Sequence, residues 1–420
     1  MGLELLININ FIFFIVVTIL FSYRIAYIIM RFAKNTENEE NSKEHTYAVI
    51  IAARNEEVVI GDLIKNIKEQ KYPQEKIKIF VVADNCIDDT AKIAKNLGAI
   101  VYERYNKTKV GKGYALDYLF KCIYNDYGNE VCDAFLIFDA DNLLDENYIK
   151  EINRTFSAGN EIITSYRNSK NYDSNFISAG QSLFFLKESQ YTNRSRMRLG
   201  TGSPISGTGF LVSSKIIKEQ KGWQFHTLVE DIEFSIYHAI QGNKIAYCEN
   251  AIFYDEQPTT FEQSYNQRLR WSKGFYQVFF KYGFSLFKTI FSKRSFYAYD
   301  MLMKIVPFGF LTTILIAFNL IVFFAYAYYE YYNLFPIHII FGGIQRAYIL
   351  LLIIGFLTII TEWKKIHTNN TNKILYLFTY PLFMFTFLPI SLIAAFSKVE
   401  WKPIIHKESK SLSTIKGGRN

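Results

Sequence analysis

The 420-residue chain has only four cysteines, Cys86, Cys122, Cys132 and Cys248, and no two of them form a CxxC pair. No paired-cysteine redox motif is present, and a cytosolic domain would keep these thiols reduced. The GxxxxGK[ST] spacing of a phosphate-binding P-loop is missing. No interleaved basic and aromatic pattern calls for nucleic acid. No small-residue cleavage site follows the first apolar stretch, which argues against a secretory signal. Between the first and second long apolar runs nothing comparable occurs, so the middle of the chain is expected to be a soluble domain.

What is abundant is apolar and aromatic: 50% hydrophobic residues, with 38 Phe and 30 Tyr. These residues are clumped. Leu5–Met30 carries only Arg24 as a charge and is long enough to span a bilayer, which takes ~20 apolar residues. Further runs lie at Val306–Tyr328, at Ile339–Ile360 with Arg346 inside, and at Ile374–Phe396, which Pro381 and Pro389 interrupt. Arg31 and Lys34 follow the first run and place the next segment in the cytoplasm. The tail carries Lys398, Lys402, Lys407, Lys410, Lys416 and Arg419 against Glu400 and Glu408, which also asks for the cytoplasm. Four full crossings would put that tail outside. The conflict points to one re-entrant or interfacial segment, with the Pro-interrupted run the first candidate. The net charge of +8 fits anchoring to anionic membrane lipid.

The expected organisation is an anchor at 1–34, a linker at 35–46, a cytosolic domain at 47–285 and an interfacial amphipathic segment at 286–305. Transmembrane or re-entrant helices follow at 306–397, then a basic cytosolic tail at 398–420. Within the domain, strand and helix patterns alternate. "YAVIIAA", "KIKIFVVAD", "AIVYER" and "AFLIFDAD" read as strands, with "VVIGDLIKNIKEQ", "DDTAKIAKNLG" and "GKGYALDYLFKCIYND" as helices between them. This alternation predicts an α/β fold with an open, parallel sheet. Ligands of such sheets sit at the carboxyl ends of the strands, where "ARNEE", "ADNCIDD" and "DADN" fall.

Asp139 and Asp141, spaced i and i+2, suit a hard cation such as Mg²⁺ or Mn²⁺; taken alone they also read as turn residues. Lys112 lies between two glycines at a helix start, where amides and an ammonium suit phosphate or simply face solvent. Glu230 and Asp231 open an amphipathic helix, whose N-terminus favours acids in any case. Gln267, Arg270 and Trp271 share a helix face, where Arg can pair with a diphosphate and Trp can stack on a sugar. An interfacial helix would show the same residues.

In order, Asp84, Asp139-Ala140-Asp141, Glu230-Asp231 and Gln267-x-x-Arg270-Trp271 form a series. It resembles the membrane-bound family 2 glycosyltransferases, with their D, DxD, [T]ED, QxxRW pattern, among them cellulose, chitin, hyaluronan and poly-N-acetylglucosamine synthases. The resemblance covers about residues 45–285. It implies a glycosyltransferase A-like domain with a mostly parallel sheet, cytoplasmic and flanked by helices in the plasma membrane. It implies an inverting, processive transfer from UDP-glucose or UDP-N-acetylglucosamine to a β-linked polysaccharide, or else of one sugar to a lipid acceptor. Partners for export belong to the first case. Arg54, Glu56 and Asp84 would then hold the uridine portion. Asp139 and Asp141 would serve a metal-bound diphosphate, which Lys112 touches and Gln267 and Arg270 grip. Asp231 would be the general base. Trp271, Glu230, Gly207 and Thr208 would meet the acceptor. Three departures stand out. The second motif reads "ADNC", the third reads "VED", and no PilZ-type domain is expected to follow.

Overall fold

The computed structural model describes residues 2–33, 42–128, 130–328, 335–404, 406 and 409–417. Residues 35–41 of the expected linker lie outside the described residues, as do Lys34, Lys407, Glu408 and Arg419. The chain opens with α1 (Gly2–Phe21) and α2 (Arg24–Met30). Then come β1 (Tyr47–Ala53), α3 (Ile60–Lys68), β2 (Ile77–Asp84), α4 (Thr90–Asn96), β3 (Ile100–Arg104) and α5 (Lys112–Tyr127). They are followed by β4 (Ala134–Asp139), β5 (Leu143–Leu144), α6 (Tyr148–Ser157), β6 (Ile162–Ser169) and α7 (Phe176–Lys187). A π-helical stretch, Glu188–Asn193, leads into α8 (Arg194–Arg198), β7 (Phe210–Ser213), α9 (Ser214–Glu219), α10 (Glu230–Gln241) and β8 (Ala246–Asp255). The rest is helical: α11 (Phe261–Ser292), α12 (Phe296–Ile305), α13 (Phe308–Tyr328), α14 (Phe335–Glu362), α15 (Asn370–Phe385), α16 (Phe387–Phe396) and α17 (Leu412–Gly417).

The strands form one sheet in the order β3-β2-β1-β4-β7-β6-β8-β5. Pairs β1–β2, β1–β4, β2–β3 and β6–β8 are parallel; β7 is antiparallel to both its neighbours. Strand β1 shows why both faces are covered. Tyr47, Val49, Ile51 and Ala53 enter one buried cluster with residues of α3, α4 and α6. Ala48 and Ile50 enter the other, with residues of α5, α9 and α10. Successive side chains of a strand point to opposite faces, so a continuous apolar run demands helices on both.

The register builds one edge. Ala52 pairs with Asp139 and Ala53 with Ala83, so Arg54, Asp84 and Asp139 leave their strands side by side. Chain order reverses between β1 and β4, which opens a crevice there. Strand β7 starts antiparallel where β4 ends, with Ile137 opposite Phe210, so Gly207 and Thr208 fall beside Asp139.

Among the described residues, four helices are long and apolar enough to cross a membrane: Glu4–Met30, Phe308–Ala325, Ile337–Glu362 and Asn370–Phe396. The last differs from the others: 33% of it is buried within the protein, against 6% of each of the first two. It breaks at Thr386, three residues before Pro389, whose ring opposes the carbonyl four residues back. Both halves lie on the sheet domain. Phe383 packs on Gly180, and Arg268 of α11 donates to the Thr386 hydroxyl at the break. Tyr276 OH donates to the Ser391 carbonyl (2.8 Å). The end of α14 also returns to the domain, where Tyr166 OH donates to Glu362 (2.7 Å). The tail after α16 returns to the domain, where His406 Nδ1 bonds Glu56 Oε2.

The stretch expected to be interfacial, 286–305, is divided. The expected domain boundary at 285 falls inside α11, whose outer half exposes Phe280, Phe284, Phe287 and Phe291. Helix α12 is instead a core element. Its Asp300 is fully buried against Arg196 Nε (2.6 Å) and accepts from Tyr23 and Tyr27 (2.7 Å each).

Candidate active site

A cavity of about 300 Å³ lies at the sheet edge described above. The strand ends supply Arg54, Glu56, Asp84, Asp139 and Asp141 to its wall. Lys112, Gly207, Glu230 and Asp231 come from the helix starts and the loop before β7; Gln267, Arg270 and Trp271 come from α11. Eleven of the sequence-predicted site positions between Arg54 and Arg270, and Trp271 with them, therefore meet around one space.

Thr208 is the exception. It was expected on the acceptor floor, yet it is 2% exposed and absent from the wall. Its hydroxyl accepts from Asp139 N (2.8 Å) and donates to Asn142 Oδ1 (2.5 Å). Both its hydrogen-bonding roles are spent on holding the end of β4, so it positions Asp139.

At one end, Asp84 is buried and receives Arg104 Nη1 (2.5 Å) and Asn85 Nδ2 (3.1 Å). Burial raises its pKa, opposed by Arg104 and Arg54. Arg54 Nε and Nη1 are buried with no hydrogen-bond partner among the described residues, while its guanidinium stands 5.2 Å from the Trp401 ring centre. Such orphaned donors on a cavity wall suit a ligand that brings acceptors.

In the middle, Lys112 Nζ donates to Asp139 Oδ1 (2.5 Å) and to the Gly207 carbonyl (2.9 Å). Gly111, with φ +129°, sets the entry to α5, and a Cβ on Gly113 would stand 2.1 Å from the Phe225 carbonyl oxygen. Only glycines let the lysine's helix start so close. Asp141 Oδ2 accepts from Glu256 N (2.8 Å). Burial would raise its pKa, but His406, Lys170 and Arg167 outweigh burial and lower it. Asp139 and Asp141 fit a hard divalent cation. They are carboxylates one residue apart, one half-exposed and one buried but ionised, and no third carboxylate or imidazole completes a protein cage among the described residues. A cation such as Mg²⁺ normally fills its remaining positions with substrate phosphates and water.

Beside them sit Glu230 and Asp231. Asp231 Oδ2 accepts from Gly207 N (2.6 Å). Burial raises both acids; for Glu230 the neighbouring Asp231 adds to this, Lys112 and Arg270 oppose it, and its pKa reaches about 7. On α11, Gln267 Oε1 accepts from Gln181 Nε2 (2.6 Å) and Arg270 Nη1 donates to the Leu228 carbonyl (2.9 Å). Trp271 meets Phe185 edge-on, with ring centres 5.9 Å apart.

Several wall residues went unseen in the sequence. Arg167 pairs with Asp255, donates to the Ser206 carbonyl (2.8 Å) and stacks on Phe185 (3.5 Å). The tail crosses the cavity mouth. His406 Nδ1 bonds Glu56 Oε2 (2.8 Å), and its Nε2 lies 3.9 Å from Asp141. Burial opposes its charge, but Asp141 and Glu56 outweigh burial and raise the imidazole to about 10. Beyond, Lys416 pairs with Asp145 (2.6 Å) and Ile415 buries against Leu143 and Tyr254. Nothing in the local pattern of the tail marks it; only its basic charge hints at a seat on the domain.

Comparison with known proteins agrees with this geometry. The chain is 26% identical over 285 residues to the probable glycosyltransferase YdaM of Bacillus subtilis, covering 62% of each. It is 24% identical over 266 residues to a beta-monoglucosyldiacylglycerol synthase of Nostoc sp., covering 61% of this chain and 54% of that protein. It is 25% identical over 267 residues to a poly-beta-1,6-N-acetyl-D-glucosamine synthase of Staphylococcus aureus, covering 62% of each. The chain thus spans between half and two thirds of these relatives' lengths. In fold it is similar to the mannosyltransferase PcManGT from Pyrobaculum calidifontis in complex with GDP-Man and Mn²⁺, with a TM-score of 0.58, 12% identity, and 90% of this chain and 96% of that one covered. Residues 45–274, more than half of the chain, match the family described as glycosyltransferase like family 2, and the chain belongs to that family.

Proposed function

We propose that this chain is an inverting membrane glycosyltransferase that extends a β-linked saccharide from UDP-glucose or UDP-N-acetylglucosamine. The observation that carries the reading is the single cavity joining Lys112, Asp139 and Arg270 to Asp231 and Trp271. Arg54 and Asp84 hold the nucleoside end. Lys112 and Arg270 place fixed positive charge where the leaving diphosphate gains negative charge. Asp139 and Asp141 would hold Mg²⁺ or Mn²⁺, which supplies Lewis-acid stabilisation of that diphosphate when bound. Asp231 accepts the proton of the acceptor hydroxyl, and a direct displacement inverts the anomeric carbon without a nucleophilic carboxylate. Trp271 stacks on the acceptor ring. The basic residues after the first span support a cytoplasmic domain.

Transfer of one sugar to a lipid is the second reading. It is favoured by the small number of candidate spans, three among the described residues, that follow the sheet domain and could form a path for a polymer. The test is a screen of the purified protein with UDP-glucose, UDP-N-acetylglucosamine and GDP-mannose, with Mg²⁺ or Mn²⁺, followed by sizing of the product. Chains of increasing length support polymer synthesis. A product that stops at one sugar on lipid overturns it in favour of the second reading, and no turnover of any nucleotide sugar overturns both.

A pH effect follows from the buried acid pair. Transfer needs Asp231 as a carboxylate, and burial raises its pKa above the ordinary carboxylate range. Turnover is expected to fall as pH drops through that raised pKa, because the base is then protonated. Removing one negative neighbour with Glu230→Gln makes the remaining carboxylate easier to ionise, so the acid limb moves to lower pH. A pH–rate profile with an unmoved limb would assign it to another group.

A further inference from the structure

Asp231 and a largely buried arginine meet the same peptide unit from opposite sides. The Ser206 carbonyl accepts from Arg167 Nη1 (2.8 Å), and the N–H of Gly207 donates to Asp231 Oδ2 (2.6 Å). That carbonyl and that N–H belong to one rigid, planar peptide and point opposite ways. Gly207 has φ +84°, and a glycine lets the preceding peptide turn over at little steric cost. Turned over, it would present its carbonyl to the Asp231 carboxylate. Arg167 opposes the flip by holding the oxygen on the far side.

Arg167 is itself fixed. Its Nε donates to Asp255 Oδ2 (2.7 Å), as does its Nη2, and the two side chains are 12% and 4% exposed. The other Asp255 oxygen accepts from Gln257 Nε2 (2.6 Å). The guanidinium also lies flat, 3.5 Å from the centre of the Phe185 ring, and Phe185 backs Trp271 edge-on at 5.9 Å. One side chain thus braces both the peptide that orients Asp231 and the ring behind Trp271.

We infer that Arg167 is a positioning residue that fixes Asp231 and Trp271 relative to each other, so that the acceptor hydroxyl meets the base. This rests on the transfer reading above. A lysine could pair with Asp255, but its ammonium has no plane to stack on Phe185 and no fixed fork to reach Ser206 as well. When the acceptor is misplaced, water takes its part. It attacks the anomeric carbon, the bond to the diphosphate oxygen breaks, and the proton passes to Asp231, leaving UDP and free sugar.

The experiment uses the full chain in detergent with UDP-glucose or UDP-N-acetylglucosamine and Mn²⁺. The acceptors are the β-linked disaccharides of the two sugars and dioctanoylglycerol, with transferred and free sugar measured separately. Arg167→Lys, which keeps the ion pair, is expected to lower transfer about 10²-fold, the scale of a misplacement of about 1 Å. The share of donor lost to water should rise about tenfold or more, while UDP affinity moves less than about twofold. Phe185→Leu removes the stack but not the bond to Ser206. It should raise the half-saturating acceptor concentration several-fold, and it covers the case in which Arg167→Lys fails to fold. In the double variant the losses should fall short of multiplying, because both act through one brace. Transfer by Arg167→Lys within about threefold of wild type, or an acceptor concentration unmoved by Phe185→Leu, overturns the inference. A parallel loss of transfer, hydrolysis and UDP affinity also overturns it, by marking a donor contact. A wild type that turns over no nucleotide sugar overturns the transfer reading, and the inference falls with it.

Discussion

Replacing Asp231 with Asn is expected to lower the turnover of sugar transfer by about 10²–10⁴-fold, the range that a positioned general base contributes. The substitution keeps size and shape. An Asn carbonyl can still accept from Gly207 N, the bond that orients Asp231 at 2.6 Å, so the loop before β7 should hold its place. What is lost is the ability to take a proton. Nucleotide-sugar binding should survive, because Arg54, Asp84, Lys112 and Arg270 are untouched. Nucleotide release and sugar incorporation measure turnover; calorimetry of UDP measures binding. A loss of less than tenfold would move the base to Glu230, whose raised pKa already suits proton transfer near neutrality.

The other large effect concerns stability. Asp300→Asn is expected to destabilise the protein by about 3–5 kcal/mol, the usual cost of stranding one partner of a buried ion pair. Arg196 is 2% exposed and meets Asp300 through Nε (2.6 Å) and Nη2 (3.0 Å). The same carboxylate accepts from Tyr23 and Tyr27 on the N-terminal anchor. Burial penalises its charge, yet Arg196 outweighs burial and lowers the Asp300 pKa. Asn cannot satisfy the guanidinium and both phenols at once. The pair therefore clasps the anchor, α8 and α12 together, and its loss should also expose α2 to proteolysis. The thermal midpoint in detergent reads the effect. The double variant Arg196→Met with Asp300→Leu should recover much of it, because no charge is left unpaired.

The site was legible where chemistry and spacing are local. Asp139-Ala140-Asp141 follows an apolar strand, and Gln267, Arg270 and Trp271 repeat at helical spacing, so sequence alone could bring each group to one side of its element. It could not bring the groups to each other. Nothing near Asp84 in the sequence shows its partner, Arg104, which lies on the next strand over. Thr208 was expected at the acceptor from the family resemblance; the pairing of β7 with β4 turned its hydroxyl toward Asn142 instead. Glu256 and Arg167 gave no signal, since nothing local marks a residue that meets the site from β6 or just beyond β8.

By itself the sequence determined the alternating α/β domain, the family, the apolar runs and the motif acids, because periodicity, composition and strand-end position are properties of short stretches. Tertiary structure alone decided which apolar run lies on the domain, that the tail brings Trp401 and His406 to the cavity, and that Glu188 and Lys304 line the same cavity as the motif acids. The reason is physical. These features depend on contacts between residues as distant as Glu56 and His406 or Arg268 and Thr386, and such contacts exist only once the sheet has set its register and the helices have packed on it.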